Sequence, residues 1–374
     1  MSTTGTARSS RRRVHTSAPD LGISALRVGP FSTAFSLRRL LVGLALLVLC
    51  ALTFTLGIGM GDYQLSMPRV LRTLLGGGSH IEETVVFKWR MGRAVVGLLV
   101  GAALAFAGAL TQSVARNPLA SPDVLGITNG ASTAAVFVIT ASGGTGIVAA
   151  VAGFGNDVLG VPVVSVIGSA LTAVAVWFIA GKDRDSMIRL VLIGVGVSMF
   201  LGAVSTWLMA TTSVDQAATA KLWLTGSLNG RGWDQAWPVL GCLLVAVAFA
   251  GWLSFRLDAL ALGPEVAQVL GHGIRAAQAV QLLVGVVLVA VAVSAAGPVP
   301  FVAFVAPQIA QRMAGSPTPP LLCSALSGAL LVSGADLLAR TVLPWELPVG
   351  IVTAFCGAPV LIYLVVKTNR KASA

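Results

Sequence analysis

Arg69, Arg72, Lys88, Arg90 and Arg93 crowd one short stretch of a chain in which only 10% of residues are charged. A guanidinium presents a planar fork of donors that matches a carboxylate, so arginines gathered in one place read as a surface for acidic groups. The cluster leads into FKWRMGRAVVGLLVGAALAFAGALTQSVARNPLASPDVLGITNGAS, residues 87–132: a basic cluster, a Gly/Ala-rich apolar run, then an Asn-Pro-Leu-Ala turn. Other reactive groupings are scarce. No G-x-x-x-x-G-K-[ST] phosphate loop occurs, and Gly143-Gly144-Thr145-Gly146 lacks the lysine and flanking strand that phosphate cradling needs. Cys50, Cys242, Cys323 and Cys356 stand singly in apolar segments without zinc-ligand spacing, and His15, His80 and His272 form no cluster. Such thiols are small hydrophobes by default. No metal site, cofactor or catalytic constellation is expected, and the chain is not read as an enzyme.

These residues sit in a scaffold that uses lipid as its solvent. The chain is 56% hydrophobic with a mean hydropathy of +0.87, whereas soluble domains carry about 25% charged residues. Apolar stretches of roughly 17–25 residues suffice to cross a bilayer core of about 30 Å. About ten occur, near 38–60, 92–112, 121–141, 159–180, 187–209, 237–255, 276–296, 299–313, 319–338 and 347–366. The expected fold is therefore an all-α polytopic membrane protein. The eighth stretch holds Pro298, Pro300 and Pro307 and is expected to be broken, which is tolerated only where neighbouring protein or water satisfies the freed backbone. Gly146–Phe154 is too short to span and is placed in a loop. The division expected is a disordered basic tail over 1–35, a transmembrane domain over 36–368, and a second tail over 369–374.

Ten spans put both termini on one side, and lysine and arginine in short loops decide which. With the termini in the cytoplasm, 17 of the 25 basic residues lie inside. Five of the eight outside are the cluster at positions 69–93. A violation concentrated at one place calls for a functional cause. Net charge is +11, but the Arg11–Arg13 run lies in a Ser/Thr-rich tail without interleaved aromatics, so nucleic acid is not an expected partner. The tail instead fits contact with anionic lipid heads. The polar lead before the first span and the missing A-x-A-like site argue against a cleaved signal peptide.

Small residues mark where helices meet. Gly97 and Gly101 share a face of the second span, and Ala105 and Gly108 nearly continue it, which lets a neighbouring backbone approach closely. Similar spacing recurs at Gly194, Gly196 and Gly202 and at Gly328 and Gly334. Proton-coupled carriers place ionisable groups within the bundle. Here the spans hold few carboxylates, with Asp336 near the outer end of the ninth, so a secondary transporter is the second-ranked class. Between the sixth and seventh spans, FRLDALALGPEVAQVLGHGIR (255–275) reads as Gly263-Pro264-Glu265 opening a short helix. Val266, Val269 and Leu270 fall on one face, with Leu257, Leu260 and Leu262 extending the apolar surface. By spacing alone this is equally an interfacial helix or a docking element.

The 87–132 stretch resembles the second transmembrane helix and following turn of permease subunits of binding-protein-dependent ATP-driven importers. The family is the FecCD and BtuC type that imports ferric siderophores, haem and cobalamin. Further blocks match. LDALALGPEVAQVLG resembles that family's coupling segment, through Leu262-Gly263, Glu265, Ala267 and Leu270-Gly271. KLWLTGSLNGRGWDQAW (221–237) is similar to the outer segment between the fifth and sixth helices, its core most like ferric-enterobactin-type permeases. GPVPFVAFVAPQIAQR (297–312) and SGADLLARTVLPWELPVGIVTAFCGAPVLIYLV match later segments, so the resemblance covers about residues 60–370. Departures are Gln308 for a histidine, Ala303 for a glycine, an extra Pro300, and Gly92 where the family has proline.

The resemblance implies a ferric-siderophore permease, with cobalamin or haem as alternative cargo. It implies a second permease chain, a paralogue in a heterodimer, and two cytosolic ATPases that bind ATP and magnesium and engage Leu257, Leu260, Leu262, Gly263, Glu265, Ala267, Leu270 and Gly271. It also implies a substrate-binding protein docking on Arg90, Arg93 and Arg340, and residence in the bacterial cytoplasmic membrane.

Overall fold

A computed structural model describes residues 23–28, 31–60, 66–141, 160–181, 187–261, 274–342 and 345–372. Each of the ten apolar stretches is helical within it. The membrane-length helices are α1 (Leu37–Gly59), α4 (Met91–Ala115), α6 (Gly160–Ala180), α7 (Met187–Ala210), α11 (Ile274–Ala296), α13 (Leu321–Thr341) and α14 (Val349–Ala372). Shorter apolar helices are α5 (Ile127–Ala141), α9 (Trp233–Ala248), α10 (Ala250–Ala261) and α12 (Val302–Ala314). Small helices α2 (Met67–Leu74), α3 (His80–Glu83) and α8 (Val214–Leu224) lie in the connections.

Two boundaries differ from expectation. An antiparallel ribbon, β1 (Ile23–Val28) and β2 (Phe31–Ser36), precedes α1, inside the stretch expected to be a tail. The intervening sequence, Gly29-Pro30, is a turn-forming pair. At the other end α14 continues to Ala372 rather than stopping at 368.

Helix α4 is the axis of the bundle. It runs on from α3 through a π-helical turn, Thr84–Arg90, and 83% of its most apolar window is buried. It packs against α13, α11, α12 and α9. The glycine stripe explains how. A Cβ on Gly101 would stand 2.2 Å from the Gly328 carbonyl oxygen, and one on Gly108 would stand 1.7 Å from that of Ala303. Two backbones therefore touch α4 with no side chain between. Gly97 has more room, its nearest neighbour being Leu228 at 3.0 Å. By contrast, only 22% of the apolar window of α1 and 17% of that of α7 are buried, so their other faces require lipid or another chain.

The break expected in the eighth stretch is present: α12 begins only at Val302, and Phe301 before it is left-handed with φ 66°. At the break, Ser227 N–H donates to the Ala296 carbonyl at 2.8 Å, and Gly297 N–H donates to that of Val293 at 2.7 Å. Gly226, at φ 71°, would drive a Cβ to 2.0 Å from the Pro298 carbonyl oxygen, so only glycine fits there.

Candidate functional site

At the end of the bundle predicted to face outward, three helix ends converge: the C-termini of α1 and α13 and the N-terminus of α4. Arg93 on α4 donates through Nε and Nη2 to Asp336 Oδ1 at 3.1 and 3.0 Å, and through Nη1 to Glu346 Oε2 at 3.1 Å. Arg340, one turn after Asp336 on α13, reaches Asp336 Oδ2 with Nη2 at 3.2 Å. One carboxylate thus sits between two guanidinium groups. The side chains of Arg93, Asp336 and Arg340 are only 12%, 6% and 10% exposed, whereas that of Glu346 is 48% exposed.

The same arginines finish α1. Arg340 Nη2 donates to the Gly57 carbonyl at 3.1 Å, and Arg90 Nη1 donates to that of Ile58 at 2.9 Å. These are among the last carbonyls of a helix that has no basic residue in its own last turn, so cations from elsewhere supply the favourable end charge. Gly92, at the same end of α4, meets the start of α9: a Cβ there would stand 2.9 Å from Gly232 Cα. The π turn ends at Arg90 and leaves Trp89 70% exposed, with Lys88 exposed beside it.

The structure places Arg90, Arg93 and Arg340 at this one end of the bundle. It commits much of their donor capacity within the chain, so Arg93 and Arg340 are not open forks awaiting a partner. Asp336 and Glu346 are the members that sequence reasoning did not assign. The available signal was that a carboxylate inside an apolar span needs a named cation.

A second polar focus lies at the opposite end of α4. Gln112 Nε2 donates to the Phe304 carbonyl at 2.9 Å, and Gln308 Nε2 donates to Gln112 Oε1 at 2.7 Å. Both glutamines are buried. Gln308 is thus one half of an amide pair joining α4 to α12. The Asn-Pro-Leu-Ala turn follows at once. Arg116 is left-handed at the end of α4, with φ 48°, and Asn117 Oδ1 accepts from Leu119 N–H at 2.9 Å. Such Asx turns stop a helix and reverse the chain. Gln112, Arg116, Asn117, Gln308 and Arg312 help line a cavity of about 570 Å³ open to this face.

Of the expected ATPase-contacting residues, Leu257 and Leu260 belong to α10. Leu262, Gly263, Glu265, Ala267, Leu270 and Gly271 lie outside the described residues. Among the described residues no group of three or more His, Cys, Asp or Glu lies close enough together to hold a metal ion.

The model of the FecCD transport family matches residues 47–367. The chain belongs to that family. It is a multi-pass FecCD permease, and its relatives align over nearly their whole length. The ferric enterobactin transport system permease protein of Escherichia coli is 37% identical over 336 residues, 89% of this chain and 98% of the relative. A probable siderophore transport system permease protein of Bacillus subtilis is 36% identical, covering 90% and 98%. A solved inward-facing conformation of a metal-chelate type ABC transporter superposes with a TM-score of 0.75 at 26% identity, covering 87% of this FecCD permease and 99% of the other chain.

Proposed function

We propose that this chain is the permease subunit of a binding-protein-dependent importer that carries a ferric siderophore across the bacterial cytoplasmic membrane, powered by ATPase subunits on separate chains. The observation that carries this reading is the unbroken match to the FecCD family together with siderophore permeases among the relatives of like length. Iron would arrive already chelated. Cargo selectivity then belongs mainly to the binding protein.

Two permease chains would pair so that the path lies on their shared axis, the second a paralogue. The sparsely buried α7 fits a helix awaiting a protein neighbour, and a Cβ on its Gly196 or Gly202 would meet nothing within 4 Å. The end bearing Arg90, Lys88 and Trp89 would receive the binding protein. The segment 257–271 would take up force from the ATPase as the path switches the side to which it opens. Both termini would lie in the cytoplasm, the orientation that puts most lysine and arginine on that side.

The test is uptake of radiolabelled iron as several ferric siderophores, and of cobalamin, in cells with and without the gene, before and after collapsing the proton gradient while ATP is maintained. Loss of a ferric-siderophore signal that otherwise survives gradient collapse supports the proposal. Loss of cobalamin uptake alone changes the cargo. Uptake that stops with the gradient despite ample ATP overturns the ATP-driven mechanism.

A further inference from the structure

A groove of about 420 Å³ runs along the outside of the bundle between α1 and α13. Its walls are Leu40, Leu44, Leu47, Leu322 and Leu326, and its inner end is polar, with Arg39, Ser36 and Ser316. Leu44, Leu47 and Leu322 are about half exposed, so the described protein lines the groove without covering it. From Arg39 to Leu47 is eight helical residues, about 12 Å of rise, which is most of one leaflet in a hydrocarbon core of about 30 Å. Groove and leaflet match in depth as well as in polarity.

The two arginines at this end differ. Arg38 is engaged on α12, its Nε donating to the Met313 carbonyl at 2.8 Å and its Nη2 to that of Arg312 at 3.2 Å. Arg39 gives Nη2 to Ser316 Oγ at 3.0 Å and has no carboxylate partner among the described residues. The serine fixes the guanidinium at the head of the groove and leaves its other donors uncommitted. Among the described residues no aspartate or glutamate lines the groove.

We propose that this groove holds one anionic phospholipid of the leaflet that meets the inner end of α1, its phosphate on Arg39 and an acyl chain against Leu44, Leu47 and Leu322. An Arg fork on a phosphate is a charge-assisted, bidentate pairing. Negative headgroups concentrate where basic residues face the membrane surface. An apolar channel alone would accept any lipid chain; the unpaired cation at its head selects the charge of the headgroup.

The proposal is tested on the full chain, purified with its partner subunits and placed in nanodiscs made of equal parts phosphatidylcholine and phosphatidylglycerol, with retained lipid read by native mass spectrometry. Both leaflets have the same composition, so the result does not depend on the orientation proposed above. The expected result is retention of phosphatidylglycerol over phosphatidylcholine, weakened roughly fivefold by Arg39→Gln. Leu44→Trp, which fills the groove and leaves the cation in place, should also reduce it, while Leu49→Trp, outside the groove lining, should not. Equal retention of both lipids, or retention unchanged in both Arg39→Gln and Leu44→Trp, overturns the proposal. So does cross-linking of a cysteine placed at Leu44 to another protein chain of the assembled complex, since protein would then occupy the groove.

Discussion

Asp336 lies 3.0 Å from Arg93 and 3.2 Å from Arg340, so a single carboxylate joins the start of α4 to the end of α13. Removing one partner of a buried pair costs about 3–5 kcal/mol, because charge is left without compensation. Asp336→Asn would leave two guanidinium groups facing each other, with only the half-exposed Glu346 to offset them. Glu346→Gln should cost no more than about 1 kcal/mol, since exposed pairs are weak. Thermal unfolding of both variants in one detergent checks the contrast: a large fall in midpoint for the first and a small one for the second. Equal falls would remove the structural role assigned to Asp336.

Gly101→Ala should destabilise by about 1–3 kcal/mol through overpacking, since the new methyl would meet the Gly328 carbonyl at 2.2 Å. Gly334→Ala, with nothing within 4 Å of its added Cβ, should be neutral. The comparison uses one helix pair and one substitution, so expression level and unfolding midpoint report packing alone. A neutral Gly101→Ala would mean that α4 and α13 are further apart than described.

Gln308→Leu should cost roughly 1–3 kcal/mol, because Gln112 Oε1 would lose its buried donor. Gln112→Leu together with Gln308→Leu should recover part of that loss, the pair then being apolar on both sides. The double-mutant cycle measures the coupling directly. Additive losses would show that the two amides do not act as a pair.

Arg90→Glu should weaken capture of the binding protein several-fold and leave assembly with the ATPase unchanged, and raised salt should mimic the variant by screening. Arg90 suits this test better than Arg93, whose reversal would also set like charges against Asp336 and Glu346. Surface plasmon resonance against the immobilised complex gives the answer, and unchanged capture would withdraw Arg90 from the docking surface.

Glu265→Ala or Gly271→Ala should separate ATP hydrolysis from uptake in proteoliposomes, with hydrolysis continuing as transport falls. Normal transport per ATP in both variants would withdraw the coupling assignment.

How far residues 1–374 could be read in advance depended on the range of the interactions. The ten apolar stretches were legible as helical because lipid imposes a local rule of length and composition, and the break before α12 because Pro298 and Pro300 announce it, while Pro307 lies inside that helix. The π turn at Thr84–Arg90 was not legible, since no residue type there specifies an extra residue per turn. Nor were the junction partners: Arg93 and Asp336 are 243 residues apart, and Gln112 and Gln308 are 196 apart. The charge imbalance at Arg69–Arg93 drew attention to this end of the bundle, but it could not say that Arg93 would be engaged inside the chain.

The absence of side chains between α4 and its neighbours has a mechanical consequence. Where backbone meets backbone, at Gly101 against Gly328 and Gly108 against Ala303, no rotamer can change to let one helix slip past the other. The carboxylate staple at one end and the amide pair at the other add fixed points to the same contacts. Helices α4, α12 and α13 therefore behave as one plate in any change of shape. Motion that opens or shuts a passage must be taken up at the edges of that plate, as in the irregular backbone at 297–301.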